Sequence, residues 1–227
     1  MKTAILIDGA FFIKRIRYFE PHSAYDAKRM ADLVMNISLA HLRQKIQGKV
    51  QFDDLYRIFF YDCAPLEKKM HHPLSGRSVD FVKSDEAIFR RQLHRELIEK
   101  RKLALRLGKL SDIAQWSIRP HVIEALLKGK KRWEELQDSD LTIQTKQKGV
   151  DMRIALDISS IAYKKQAERI VLISGDSDFV PAAKLARREG IDFVLDPIRQ
   201  DIPADLFEHI DGLRTTYQQE NTIGETR

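Results

Sequence analysis

Cysteine is almost absent from this chain, since Cys63 is the only one among 227 residues. A single cysteine excludes an internal disulfide framework and a zinc site built from cysteines. The chain also has no run of about 18 apolar residues, which argues against a membrane-spanning helix. It lacks the Gly-x-x-x-x-Gly-Lys pattern of a P-loop, and it enters a predicted strand without a signal-peptide pattern. From these absences we expect a globular cytoplasmic protein.

The charge balance is basic, with a net charge of +6 and a sequence pI near 9.3. So small an excess is weak evidence for a polyanionic partner, but its concentration in the middle of the chain is more informative. Basic side chains grouped in this way contact the phosphates of nucleic acids, although a solvated helix face has the same composition. The residues that we predict to bind RNA are Arg90, Arg91, Arg95, Lys130, Lys131 and Arg132.

Strand-like and helix-like segments alternate along the chain, and this order predicts a parallel sheet covered by helices on both faces. The predicted strands are Thr3–Ile7, Leu55–Tyr61, Leu103–Leu107, Leu141–Thr145, Ile170–Ser174 and Ile191–Leu195. The predicted helices are Phe11–Phe19, Tyr25–Gln47, Asp85 to about Lys102, His121–Lys128, Val150–Tyr163, Val180–Glu189 and Pro203–Ile210. Residues 65–73 are predicted to be a loop. We expect one domain over residues 1–213, with a basic elaboration around residues 65–147 and a polar tail over residues 214–227.

Aspartates follow two of the buried strands at the point where each strand ends. Asp8 closes the first strand, while Asp176 and Asp178 follow the strand Ile170–Ser174. Asp151 comes after Gly149, which lets the backbone turn at the start of a predicted helix. In open α/β sheets, ligands bind beyond the carboxyl ends of the strands. Clustered carboxylates repel one another unless a cation lies between them, so these four residues predict a site for Mg²⁺ or Mn²⁺.

Three short motifs of the chain resemble those of the NYN domain, a branch of the PIN-like nuclease superfamily that includes bacterial LabA-like proteins. They are Ile7-Asp8-Gly9, Lys148-Gly149-Val150-Asp151 and Ser174-Gly175-Asp176-Ser177-Asp178-Phe179, and they occur in the order typical of that family. The resemblance extends from Lys2 to about Leu213. It implies a three-layer α/β/α PIN-like domain with a central, mainly parallel sheet, and a metal-dependent ribonuclease site made of aspartates.

Carried over position by position, the resemblance makes Asp8, Asp151, Asp176 and Asp178 both the metal ligands and the catalytic residues. Three further residues are expected to support them: Asp157, Asp62 and Ser174. Asp157 lies six residues beyond Asp151, which turns it about 240° away on an ideal helix, so both cannot face one ion. Many family members carry an asparagine soon after the first Asp-Gly, whereas this chain has Ala10-Phe11-Phe12.

Two functions of different classes follow from these observations. The first is an endoribonuclease that hydrolyses RNA phosphodiesters with an aspartate-bound Mg²⁺ or Mn²⁺. The second is a catalytically silent NYN domain that binds RNA or a protein. Four intact carboxylates favour the enzyme, because a pure RNA binder gains nothing from acids beside its polyanion. A homodimer remains open, and a membrane partner is not expected.

Overall fold

The computed structural model describes residues 1–110, 114–145 and 147–218, and it confirms the predicted α/β class. The strands are β1 (Lys2–Asp8), β2 (Arg43–Ile46), β3 (Lys49–Phe52), β4 (Asp54–Cys63), β5 (Lys69–His71), β6 (Ser78–Asp80), β7 (Leu103–Leu110), β8 (Gln115–Ile118), β9 (Leu141–Gln144), β10 (Gln147–Lys148), β11 (Arg169–Ile173), β12 (Asp192–Asp196) and β13 (Gly212–Leu213). The α-helices are α1 (Gly9–Phe19), α2 (Ala27–Leu42), α3 (Asp85–Ile98), α4 (Pro120–Leu127), α5 (Val150–Tyr163), α6 (Val180–Arg188) and α7 (Ala204–Phe207).

The central sheet has seven strands in the order β10-β7-β4-β1-β11-β12-β13. Only β10 pairs antiparallel with its neighbour, and the other six strands run parallel. In the register of the parallel strands, Ile7 pairs with Ile173, and Ile173 pairs with Asp196. The carboxyl ends of β1, β11 and β12 therefore meet at one edge of the sheet, which we call the carboxyl edge.

The sheet is buried on both faces because successive side chains of a strand point to opposite sides. Ile5 and Ile7 of β1 belong to a core formed with α1, α2 and α3, whereas Ala4 and Leu6 belong to a second core formed with α5 and α6. Strands covered on both faces have nearly continuous apolar sequences, and the run Ala4–Ile7 is such a sequence. Helices therefore lie on both faces of the sheet.

The helix predicted over Tyr25–Gln47 is wrong at its end, because α2 ends at Leu42. The following residues form an antiparallel hairpin of β2 and β3. Gln47 and Gly48 make the turn, with φ angles of 49° and 78°, and a two-residue turn of this kind suits the twist of the paired strands. The glycine taken as the end of a helix is thus the second residue of a hairpin turn.

The structure differs locally from two other predicted segments. The predicted loop over residues 65–73 contains β5, which pairs antiparallel with β6. Within the predicted polar tail, Tyr217 is buried, packs against the Phe19 ring and donates its hydroxyl hydrogen to Glu20 at 3.2 Å. The remainder of that tail, residues 219–227, lies outside the described residues. Among the helices that the structure describes, none is long and apolar enough to cross a membrane.

Candidate active site

Asp8 is placed at the carboxyl edge by the junction between β1 and α1. It is the last residue of β1, and its side chain caps α1 by accepting the Phe11 N–H at 3.1 Å. The helix can begin at once because the next residue is Gly9. A Cβ on Gly9 would lie 2.5 Å from the Tyr61 carbonyl oxygen and 2.6 Å from the Phe60 ring. The close approach of α1 to β4 therefore requires glycine, and Asp8 lies half-buried at this junction.

Burial is the main reason that the pKa of Asp8 rises from 3.8 to about 6. The charges of Asp151 and Asp176 raise this pKa further, while backbone N–H groups at the start of α1 oppose the change. A carboxylate that loses water and gains like-charged neighbours is held in an unfavourable state at neutral pH. Burial and like-charged neighbours together therefore disfavour the charged form of Asp8.

Asp151 lies in the first turn of α5, and Gly149 is the residue at which the chain turns into this helix. Gly149 has a φ of 77°, in the left-handed region that favours glycine, and Val150 then anchors the helix in the core. Burial raises the pKa of Asp151, and the charges of Asp176 and Asp178 raise it further. The start of α5 therefore brings Asp151 into the same electrostatic neighbourhood as the acids that follow β11.

Asp176 and Asp178 lie in the turn after β11, and both are exposed. Asp176 accepts the Asp178 N–H at 3.0 Å and so caps the short 3₁₀ turn Ser177–Phe179. Ser174, at the end of the strand, is fully buried, and its hydroxyl oxygen accepts the Asp176 N–H at 3.4 Å. Ser174 therefore helps to orient the segment that carries the two acids.

The four predicted aspartates thus interact electrostatically, and no described Lys, Arg or His forms an ion pair with any of them. Oxygen-only donors suit hard divalent cations. Across residues 1–110, 114–145 and 147–218, however, no three His, Cys, Asp or Glu side chains are gathered closely enough to hold a metal ion. The donor chemistry fits Mg²⁺ or Mn²⁺, and the carboxylates would have to move together around such an ion. Their role as ligands stays a prediction.

Two of the predicted supporting acids have other partners. Asp157 on α5 accepts the Tyr61 hydroxyl hydrogen at 2.8 Å and forms an ion pair with Arg106 at 3.3 Å. Asp62 is fully buried at the end of β4, where it pairs with Arg90 and, at 2.8 Å, with Nε2 of His94. Both acids therefore join helices to the sheet, on opposite faces.

The predicted RNA-binding residues are mostly engaged in contacts within the protein. Arg90 is a poor candidate for phosphate contact, because it is half-buried between Asp62 and Glu86. Arg91 donates to the Val82 carbonyl at 2.7 Å. Lys131 forms an ion pair with Asp140, and Arg132 forms one with Glu135 at 2.9 Å. The side chains of Arg95 and Lys130 are exposed.

A pair of lysines on neighbouring strands was not among the residues predicted to bind RNA. Lys109 of β7 and Lys148 of β10 are register partners in the antiparallel pair, and both side chains are exposed. Neither has an acidic partner in the part of the chain that the structure describes. Like charges directly opposite on paired strands are destabilising, so this pair does not contribute to the stability of the fold and is a candidate for binding an anionic ligand. The available signal was the position of Lys148, three residues before Asp151.

Comparison with known proteins gives one family match. A family model described as the NYN domain matches residues 109–206, which is less than half of the chain. The matched segment contains Asp151, Asp176 and Asp178, whereas Asp8 lies before it. No curated protein matches the chain. One similar solved structure is that of a protein of unknown function from Vibrio parahaemolyticus, with 16% identity, 96% of this chain and 94% of that chain covered, and a TM-score of 0.46.

Proposed function

We propose that this protein is a metal-dependent endoribonuclease that hydrolyses RNA phosphodiesters at the carboxyl edge of its sheet. The observation that carries the proposal is the uncompensated acidic cluster, in which the charges of Asp151 and Asp176 help to raise the pKa of Asp8. Such repulsion costs stability unless a cation relieves it. The NYN match over the segment with Asp151, Asp176 and Asp178 supports the nuclease assignment.

In this proposal Asp8, Asp151, Asp176 and Asp178 hold the ion. When bound, Mg²⁺ or Mn²⁺ would polarise a phosphoryl oxygen and lower the pKa of a water molecule. Asp8 must be deprotonated to act as a ligand, so we expect metal affinity to increase as the pH rises through about 6. Ser174 and the backbone of the 3₁₀ turn orient Asp176 and Asp178, which keeps the exposed acids at the strand end.

The alternative is a catalytically silent NYN domain that binds RNA or a protein. Exposure of Lys109 and Lys148 is compatible with RNA binding alone. The four carboxylates distinguish the two hypotheses, because they repel phosphate and contribute nothing to a protein that only binds RNA. If the protein is an enzyme, cleavage has to depend on both the aspartates and the metal ion.

The direct test is cleavage of end-labelled single-stranded and structured RNAs by the purified protein. We expect cleavage with Mn²⁺ or Mg²⁺, none with EDTA, and recovery when metal is restored in excess. Matched DNA oligonucleotides test whether the activity is specific for RNA. RNA binding without cleavage under every metal condition would support the silent domain instead.

A second prediction concerns how the protein holds its substrate. The acids repel RNA, so basic groups elsewhere have to supply the phosphate contacts. Lys148 precedes Asp151 by three residues, and both Lys148 and its register partner Lys109 are exposed and have no acidic partner among the described residues. Replacing both with glutamine should weaken RNA binding for all sequences alike. It should also reduce the slope of log K against log salt by about 1.4, at about 0.7 per lost phosphate contact with a single strand. Affinity measured at several salt concentrations in EDTA checks this.

The matched control replaces Lys164 and Lys165, two exposed lysines just beyond the opposite end of α5, with glutamine. Both double variants lose the same formal charge, so a difference in salt slope reports local contacts rather than net charge. The Lys109/Lys148 variant should be no less stable to heat than the wild type, because a like-charged pair has been removed. Equal slopes in the two variants would contradict phosphate binding by Lys109 and Lys148.

A further inference from the structure

The loop after β12 has an unusual backbone conformation. Ile198 and Arg199 have φ angles of 43° and 56°, in the left-handed region. A β-branched residue such as isoleucine rarely adopts this conformation, and it persists only where the surrounding structure holds it in place. Such conformations are found preferentially at functional sites.

Several contacts hold the strained loop. Asp196 accepts the Ile198 N–H at 2.8 Å, and the Ile198 carbonyl accepts hydrogen bonds from Arg15 Nε and Nη2 at 3.2 and 3.0 Å. The Ile198 side chain is completely buried in the core. Asp196 is itself fixed by Nε2 of His41 at 2.8 Å. The path of the chain into the next residues is therefore determined by buried groups.

This path places the Gln200 side chain against the segment that carries Asp176. A Cβ on Gly175 would lie 2.8 Å from Gln200 Nε2 and 3.0 Å from Phe11 Cε2, so the three residues are in close contact. Gly175 immediately precedes Asp176, and the pairing of Ile173 with Asp196 places the ends of β11 and β12 side by side. The Gln200 amide therefore lies at the carboxyl edge, next to the acidic cluster.

The amide has the chemistry to contact a substrate there. Within the part of the chain that the structure describes, the Gln200 side chain has no hydrogen-bond partner. It offers two N–H donors without a positive charge, so it can face a phosphate oxygen without forming an ion pair with the neighbouring aspartates. Phe11, which also lies against Gly175, supplies only an apolar wall to this arrangement.

We propose that Gln200 binds the substrate directly, by donating a side-chain N–H to a phosphate oxygen of the bound RNA beside Asp176. The proposal rests on the proposed function for its substrate, since RNA is the ligand inferred for this edge. It goes beyond that function by assigning a substrate contact to the loop after β12, where the left-handed conformation of Ile198 directs Gln200 toward Gly175. A neutral donor at this place would offset part of the repulsion between the acids and the phosphate.

The test uses RNA binding in EDTA, which does not require cleavage, with the variants Gln200→Met and Gln200→Ala. Methionine keeps the length and packing of glutamine but has no N–H donor. Both variants should raise the Kd about three- to tenfold, the range for one lost hydrogen bond. The salt slope should stay at the wild-type value, because no charge is removed. Gln92→Met, on the exposed face of α3, is the matched control and should leave Kd unchanged.

The outcomes separate this inference from the proposed function. If the wild type binds RNA and Gln200→Met binds it with the same Kd, the proposed role of Gln200 is wrong, whatever the cleavage assays show. Normal binding in Gln200→Met with weak binding in Gln200→Ala would also overturn it, by showing that only packing against Gly175 matters. If the wild type neither binds nor cleaves RNA, the proposed function fails and this inference fails with it.

Discussion

Replacing Asp176 with asparagine should reduce metal-dependent RNA cleavage at least about 100-fold. Even residues that only support metal ligands typically cost 10- to 100-fold when they are replaced, and a ligand should cost more. Asparagine keeps the oxygen that accepts the Asp178 N–H at 3.0 Å, so the 3₁₀ turn after β11 can remain intact. Single-turnover cleavage of a labelled RNA at saturating enzyme, with Mn²⁺ present, measures the effect.

Two controls make this result specific. Asp54→Asn removes the same charge at an exposed position at the start of β4. This position is at the end of the strand away from the carboxyl edge, so we expect cleavage to be unchanged. In metal-free buffer, Asp176→Asn should melt at the same temperature as the wild type or slightly higher, since like-charge repulsion has been relieved. Undiminished cleavage by Asp176→Asn would point to a contaminating nuclease or to a site elsewhere. A large loss of thermal stability would instead identify Asp176 as a structural hydrogen-bond acceptor.

Asp8→Asn should stabilise the metal-free protein by up to about 3 kcal/mol at pH 8. The folded protein raises the pKa of Asp8 from 3.8 to about 6, and each unit corresponds to about 1.4 kcal/mol. A raised folded pKa means that the native state binds the proton more tightly than the unfolded chain. Protonation of Asp8 therefore contributes to the free energy of unfolding below about pH 3.8, and this contribution is lost as the pH rises through about 6.

The difference between Asp8→Asn and the wild type should therefore be small near pH 4 and reach its full size by about pH 7. Urea unfolding in EDTA across this range measures it. Asparagine can still accept the Phe11 N–H, so the cap of α1 is retained. Saturating Mn²⁺ should stabilise the wild type and have much less effect on Asp8→Asn, because an ion that binds the native state shifts unfolding by mass action. A loss of stability at pH 8 in Asp8→Asn would contradict the burial of an uncompensated charge.

The regular elements could be read from the sequence where one local signal dominates. Helix α5 begins and ends at Val150 and Tyr163 as predicted, because Gly149 marks its start and the apolar spacing has one helical period. The strand ending in Asp8 is equally clear, since Ala4–Ile7 is a continuous apolar run that is buried on both faces. The hairpin of β2 and β3 was missed because helical spacing before Leu42 runs directly into a short polar strand.

The sequence by itself determined the alternating α/β order, the aspartates at the ends of β1 and β11, and the glycines that let helices start beside them. These features depend on local propensity and on the period of apolar residues, which the sequence carries directly. Only the tertiary structure decided which charges are available to a ligand. Arg90 is engaged by Asp62, and Gln200 reaches Gly175 from 25 residues away. The physical reason is that ion pairing and side-chain contact depend on distances in space, which strand order and loop conformation set.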